Sequence, residues 1–354
     1  MKAAVYYGPR DVRIDDVESP RIQAGHEMLV KVRATSICGS DLHIYRGTLD
    51  AIMERGKSGL GHELSGEVVE VGKAVGNFKP GDRVTMAYSA SCGECFMCRV
   101  GQTAHCTITN KAVYGFGTAF GDLNGTQAEY LVIPYADAHA MKVDGTLDDE
   151  QVLTLSCNLP SALIANNLAD VQLGESLAIV GLGPTGIMSL ELALHRGPGR
   201  VFALDPVSYR REYVKERFGV EVLDPSDPEA LERVRQVTEG RGVDKVIEIV
   251  GTPDSLQLSL DLVRPGGTVA AIGVFTTDQF NLNLSDVFLR DITMHMNGFA
   301  NVQPYMYEAH RLLLEGVIDP RPLFTHRFSL EQVSQAYQVF ADKLDDALKV
   351  LIRP

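Results

Sequence analysis

The arrangement of apolar and polar positions changes character partway along the chain. Up to about residue 150, apolar or alternating runs such as MLVKVRATSI, HELSGEVVEVG and EYLVIP are separated by Gly, Pro and Asp. That is the mark of strands and turns, and no long amphipathic helix interrupts it. From about 160, short continuous apolar runs (SLAIVG, RVFALD, EVLD, KVIEIV, GTVAAIG, ITMHMNG) alternate with helical stretches (GIMSLELALHR, SYRREYVKERFG, DPEALERVRQVTEG, SLQLSLDLVRPG). Strands that are apolar throughout, joined by helices, predict a parallel sheet covered on both faces. Beyond 299, a helix YMYEAHRLLLEG, the segment THRFSLEQVSQAYQVFAD and a strand ALKVLIRP predict a return to the first domain. The fold class is therefore α/β: a β-rich domain over 1–155, a doubly wound domain over 156–298, and 299–354 completing the first.

Composition narrows the function. The chain has 354 residues, 45% of them hydrophobic, which is enough for two cored domains. The longest apolar runs fall well short of a membrane span of about 20 residues, and the opening MKAAVYYGP lacks a secretory apolar region, so a cytoplasmic protein is expected. A net charge of −13 without a basic stripe argues against nucleic acid as a partner.

Two motifs carry specific chemistry. Gly181, Gly183 and Gly186 form G-x-G-x-x-G between the strand SLAIV and a helix, the context that makes this motif informative. The first glycine permits the turn, the second lets backbone approach a pyrophosphate, and the third lets helix pack on strand. Asp205 ends the next strand, 19 residues beyond Gly186, where a carboxylate accepts from ribose hydroxyls and repels a 2′-phosphate. NAD is expected over NADP, tempered by Arg210, whose guanidinium near the ribose could tolerate a phosphate.

The second motif is Cys92-x2-Cys95-x2-Cys98-x7-Cys106, within a lobe at about 90–108. Four thiolates on a short loop suit a closed tetrahedral zinc site that staples structure and does no chemistry. A [4Fe–4S] ferredoxin run would place its fourth cysteine about three residues on, before Pro, and a nucleic-acid zinc finger lacks a recognition helix here.

Cys38 in SICGSDLHIY and His62 in GLGHELSGEVVEVG each stand at a strand-to-turn boundary, where either alone reads as ordinary core. The run Gly61-His62-Glu63-x2-Gly66-x5-Gly72-x2-Val75, with Cys-Gly-Ser-Asp-Leu-His, the four-cysteine lobe and GLGPTG in this order, resembles the zinc-dependent medium-chain alcohol dehydrogenases. The resemblance runs from MKAAVYYGP to LKVLIRP. It implies a GroES-like catalytic domain with a Rossmann domain, two zinc ions per subunit, and a catalytic zinc held by Cys38, His62 and Cys157. It further implies that Ser40 bonds the substrate oxygen, that His43 relays its proton, and that Glu63 assists ligand exchange at the metal. Asp41 becomes a partner for His62. Gly39 stands where several animal relatives have a basic pyrophosphate contact, which shifts that contact to Lys349.

The implied reaction is reversible hydride transfer between NAD and a primary or secondary alcohol. A polyol or threonine dehydrogenase is the alternative within the family, and a non-catalytic nucleotide-binding protein the alternative outside it. Tyr45, Tyr114 and Phe116 are candidates to line the substrate pocket. By the same resemblance the length suggests a homotetramer, with a dimer possible.

Overall fold

In the computed structural model, which describes residues 1–277 and 279–354, the chain forms two compact units, one made of Met1–Pro160 with Asn301–Pro354 and the other of Ser161–Ala300. The first is built on a mixed sheet. Its longest strand, Met28–Ile37, pairs antiparallel with Leu64–Val71, with Tyr130–Ile133 and with Lys349–Arg353, and Lys349–Arg353 pairs in parallel with Phe324–Ser329. Met28–Ile37 alternates strictly at its start and is buried throughout from Ala34 to Ile37, so its far end has both faces covered. Register shifts between Leu29 and Val30 and between Val32 and Ala34 re-aim the strand just before Cys38. A two-stranded ribbon of Lys2–Gly8 and Asp11–Asp16 adds to this unit.

The unit is locked by Asp149, a carboxylate only 7% exposed that receives Ser65 Oγ at 2.7 Å and faces Arg33, Arg83 and Arg353 at 3.3, 3.2 and 2.8 Å. Burial alone would raise its pKa, but the bonds from Arg353 and Ser65 and the charge of Arg33 outweigh it and hold the carboxyl at about 2. A carboxyl whose pKa is depressed on folding stabilises the fold above its unfolded value, near 3.8, and that contribution is lost as pH falls toward 2. Asp149→Asn should therefore lower Tm by a few degrees at pH 7, a loss of about 1–2 kcal/mol. Variant and wild type should converge near pH 2–3 in thermal unfolding followed by circular dichroism.

The second unit is a six-stranded parallel sheet. Its spatial order runs Glu221–Leu223, Arg200–Leu204, Ser176–Val180, Val243–Glu248, Val263–Ala271, Thr293–Met296. In chain order that is 3-2-1-4-5-6, the doubly wound Rossmann arrangement, whose strand order reverses beside Ser176–Val180. Four helices, Pro184–Leu194, Ser208–Phe218, Glu229–Val237 and Pro253–Leu262, connect the first five strands. One predicted boundary moves: the tail VRPG of the last of these helices is the start of a strand, because Pro265 has no N–H to give a helix and disfavours helical backbone at the residue before it. Among the described residues no helix is long and apolar enough to cross a membrane.

Candidate active site and metal centres

Cys38 follows the re-aimed end of the Met28–Ile37 strand, and Ser40 caps a one-turn helix, Asp41–Tyr45, that carries Asp41 and His43. His62 and Glu63 immediately precede the Leu64–Val71 strand, after Gly61 in the left-handed region at φ +87°. A side chain at Gly61 would be strained by that backbone and would press on Gln127 at 2.7 Å, so the approach to His62 requires glycine. Cys157 directly precedes the Asn158–Ala169 helix.

These separate segments converge. A ligand atom from each of Cys38, His62, Glu63 and Cys157 lies within 4.8 Å of the others, and all but the half-buried Cys157 are buried. Asp41, itself fully buried, ties two of them together: Oδ1 faces His62 Nδ1 at 3.1 Å, and Oδ2 accepts the Cys38 backbone N–H at 2.8 Å. With the Asp41 oxygen accepting there, Nδ1 is the protonated nitrogen and Nε2 is left as a ligand atom; Ser40 Oγ lies 3.4 Å from Nε2. His43 is half-buried, and burial, with Arg46 nearby, lowers its pKa, so the imidazole is neutral at pH 7.

The donor set fits a zinc ion. The bond from Cys157 holds the Cys38 thiol well below its ordinary pKa despite burial, while that same contact and burial push Cys157 far up. Two thiolates this close repel one another, and a divalent cation is what allows both to be ionised. Glu63 receives Lys349 Nζ at 2.7 Å and the Ser36 hydroxyl on Oε2, and its buried Oε1 has no hydrogen-bond partner among the described residues. Lys349 is thereby placed differently from its expected role as a pyrophosphate contact. It lies on the Lys349–Arg353 strand, 0% exposed, with its charge committed to Glu63.

The four-cysteine lobe is equally specific. Sulfur separations of 3.5 Å (Cys95–Cys98), 3.8 Å (Cys95–Cys106) and 3.9 Å (Cys92–Cys98) match the edges of about 3.8 Å of a tetrahedron with Zn–S bonds of about 2.3 Å. Backbone N–H groups of Glu94 and Cys95 point at Cys92 Sγ, and that of Cys92 at Cys106 Sγ, as thiolates require. Burial and the neighbouring Cys95 push the Cys98 thiol up to about 12, so four thiolates cannot coexist there without a cation.

In the Rossmann unit, a Cβ on Gly186 would collide with the Gly181 carbonyl, whereas one on Gly183 would meet only Arg210 Nη1, at 4.0 Å. The third glycine is closed by packing and the second faces open space, as a phosphate cradle needs. Gly183 is also the N-cap of the Pro184–Leu194 helix. Asp205 accepts the backbone N–H of Leu182 at 2.8 Å and of Val207 at 2.9 Å and faces Arg210 at 3.5 Å. Arg210 is thus the cation over the glycine turn, the position expected of Lys349.

Other aromatic expectations divide. Phe116 stands edge-on to His62 with centroids 5.6 Å apart. Tyr45 stacks on Tyr337 at 5.0 Å and Tyr114 is fully buried with its hydroxyl on His139 at 3.0 Å, so these two belong to the core rather than a pocket. Three groups were not singled out from sequence. Tyr88 has its ring 6.1 Å from that of His62. Asn158 contacts Cys38. Glu248, ending its strand, gathers the N–H groups of Val250 and Gly251, both at 2.8 Å, and the Ser255 hydroxyl at 2.7 Å. Val250 in turn lies against Gly181. Tyr88 and Asn158 meet partners distant in sequence, and the bonds of Glu248 reach two to seven positions ahead in a turn that carries no motif spacing.

Residues 24–143 match the alcohol dehydrogenase GroES-like domain and residues 184–315 the zinc-binding dehydrogenase domain. The chain is 31% identical to a zinc-type alcohol dehydrogenase-like protein of Bacillus subtilis (strain 168), covering all of both chains. It is also 31% identical to a sorbitol dehydrogenase of the same organism, over 100% of this chain and 97% of that one. An alcohol dehydrogenase from Thermus sp. ATN1 superposes with a TM-score of 0.92 at 34% identity, covering 100% of this chain and 99% of the other. With both domain models matched, and a full-length relative sharing the zinc type, the chain belongs to the zinc-dependent alcohol dehydrogenases of the medium-chain dehydrogenase/reductase family.

Proposed function

We propose that the protein catalyses reversible NAD-linked oxidation of primary or secondary alcohols, with zinc held by Cys38, His62 and Cys157 and a second, structural zinc in the four-cysteine lobe. The observation that carries this reading is the convergence of those three ligand atoms with the Glu63 carboxylate inside 4.8 Å. Zinc in such a site supplies a Lewis acid that helps an alcohol ionise near neutral pH. Ser40, beside His62, bonds the substrate oxygen and takes its proton. His43, neutral at working pH, passes that proton toward solvent. Glu63, tethered to Lys349 and with one oxygen unclaimed, is poised to approach the metal. Phe116 presents an apolar edge to the same space.

His43→Gln should keep its zinc and fold and lose about one to two orders of magnitude in kcat, recovering partly with added buffer base. The profile of kcat against pH and buffer concentration checks it. NADH formation against a panel of simple alcohols and polyols tests the substrate class. The full-length sorbitol dehydrogenase relative supports a polyol reading, and the thiolate Cys157 in place of an acidic third ligand supports the simple alcohols. No turnover on any member would leave nucleotide binding alone.

The NAD preference rests on Asp205, whose charge opposes a 2′-phosphate, with Arg210 as the moderating cation. Asp205→Gly should shift the kcat/KM ratio toward NADP by at least about tenfold. A wild-type enzyme already faster with NADP would remove this reading of Asp205. The cytoplasmic, homotetrameric form completes the proposal. Six cysteines assigned as reduced metal ligands suit a reducing compartment, and the exposed Leu284, Phe288 and Leu289 on one short helix are apolar surface of the kind subunit contacts bury.

A further inference from the structure

Asn158 is 2% exposed and its side-chain Nδ2–H donates to Cys38 Sγ at 3.5 Å. The amide N–H is the donor, since the reverse would set the lone pairs of a carbonyl oxygen against those of the sulfur. Burying an amide costs more than burying an aliphatic side chain of the same size, so packing alone does not account for asparagine here. The neighbouring ligand set gives the contact a chemical meaning. Two thiolates and an imidazole donate electron density generously, and a metal they hold is correspondingly less acidic. A hydrogen bond to a ligating thiolate draws density back onto the sulfur. Cys38 takes this bond on its sulfur while its backbone N–H is fixed by Asp41, so one ligand is set from two sides.

We infer that Asn158 is a positioning residue that donates to the Cys38 thiolate and thereby sets the acidity that a zinc ion imposes on the substrate alcohol. This rests on the reading of Cys38, His62 and Cys157 as the catalytic metal site.

The test uses Asn158→Leu, which keeps the branched heavy-atom shape and removes the donor, and Asn158→Ala as a smaller second variant. Each is loaded with cobalt(II) in place of zinc. Spectra are taken as differences from cobalt-loaded Cys157→Ala, so bands from the four-cysteine lobe cancel. Both variants should retain their metal and show the sulfur-to-cobalt charge-transfer band at longer wavelength than wild type. With zinc, the acidic limb of their kcat profile should lie higher by about half a pH unit to one unit. A band and a pH profile both unchanged, with metal retained, would reduce the contact to packing; loss of metal in both variants would make Asn158 a structural support and overturn the tuning role. If wild type and Cys157→Ala give the same cobalt spectrum, it is the metal site itself that fails, not Asn158.

Discussion

Cys157→Ala should lose the catalytic zinc and lower kcat by more than about a thousandfold, with the four-cysteine metal retained and the fold intact. Cys38 and Cys157 lie side by side, and each thiolate is needed to offset the double charge of the ion. Without Cys157 the remaining donors, Cys38 and His62, form an incomplete site that supplies one thiolate too few to hold the ion. Elemental analysis should fall from two zinc per chain to one, alongside kcat. Full activity with two zinc would assign the third position to another residue, and Glu63 Oε1, buried and without a partner among the described residues, is the first to examine.

Cys95→Ser should have the opposite profile. Its sulfur lies 3.5 Å from that of Cys98 and 3.8 Å from that of Cys106, so it forms two edges of the tetrahedron. A hydroxyl there does not ionise near neutral pH, and the lobe should release its metal. A lowering of Tm on the order of 10 °C is expected in calorimetry, with kcat per folded molecule little changed at low temperature. One zinc per wild-type chain, or iron with acid-labile sulfide, would overturn the division into a catalytic and a structural zinc.

Much of this was legible from pattern. Ser176–Val180 and Arg200–Leu204 read as buried strands because they are apolar on both faces, and Met28–Ile37 because its first half alternates. The Asn158–Ala169 helix is not legible for the converse reason: buried on nearly all sides, it has no polar stripe to give it a period of 3.6. The site residues divide likewise. The glycine turn and the four cysteines are local, so spacing reveals them. Cys38, His62 and Cys157 look like ordinary core until a family resemblance groups them. The groups that surround them could not be read at all, since Asn158 meets Cys38 across 120 positions and Lys349 meets Glu63 across 286. Lys349 is the clearest case: with Gly39 in place of a basic contact the resemblance shifts the pyrophosphate role to it, and only three-dimensional proximity to a buried carboxylate redirects it.

That 286-residue separation also sets a timetable for biogenesis. At about 5–20 residues per second, roughly 15 s to 1 min elapse between translation of Glu63 and emergence of the lysine that neutralises it. The whole of 161–300 is made in between and can fold first. Until Lys349–Arg353 inserts between Met28–Ile37 and Phe324–Ser329, the nascent first unit has an unpaired sheet edge and an uncompensated acid at its centre. A ribosome stalled a few codons short of Lys349 would therefore hold a chain whose dinucleotide fold can be finished while its metal pocket is not.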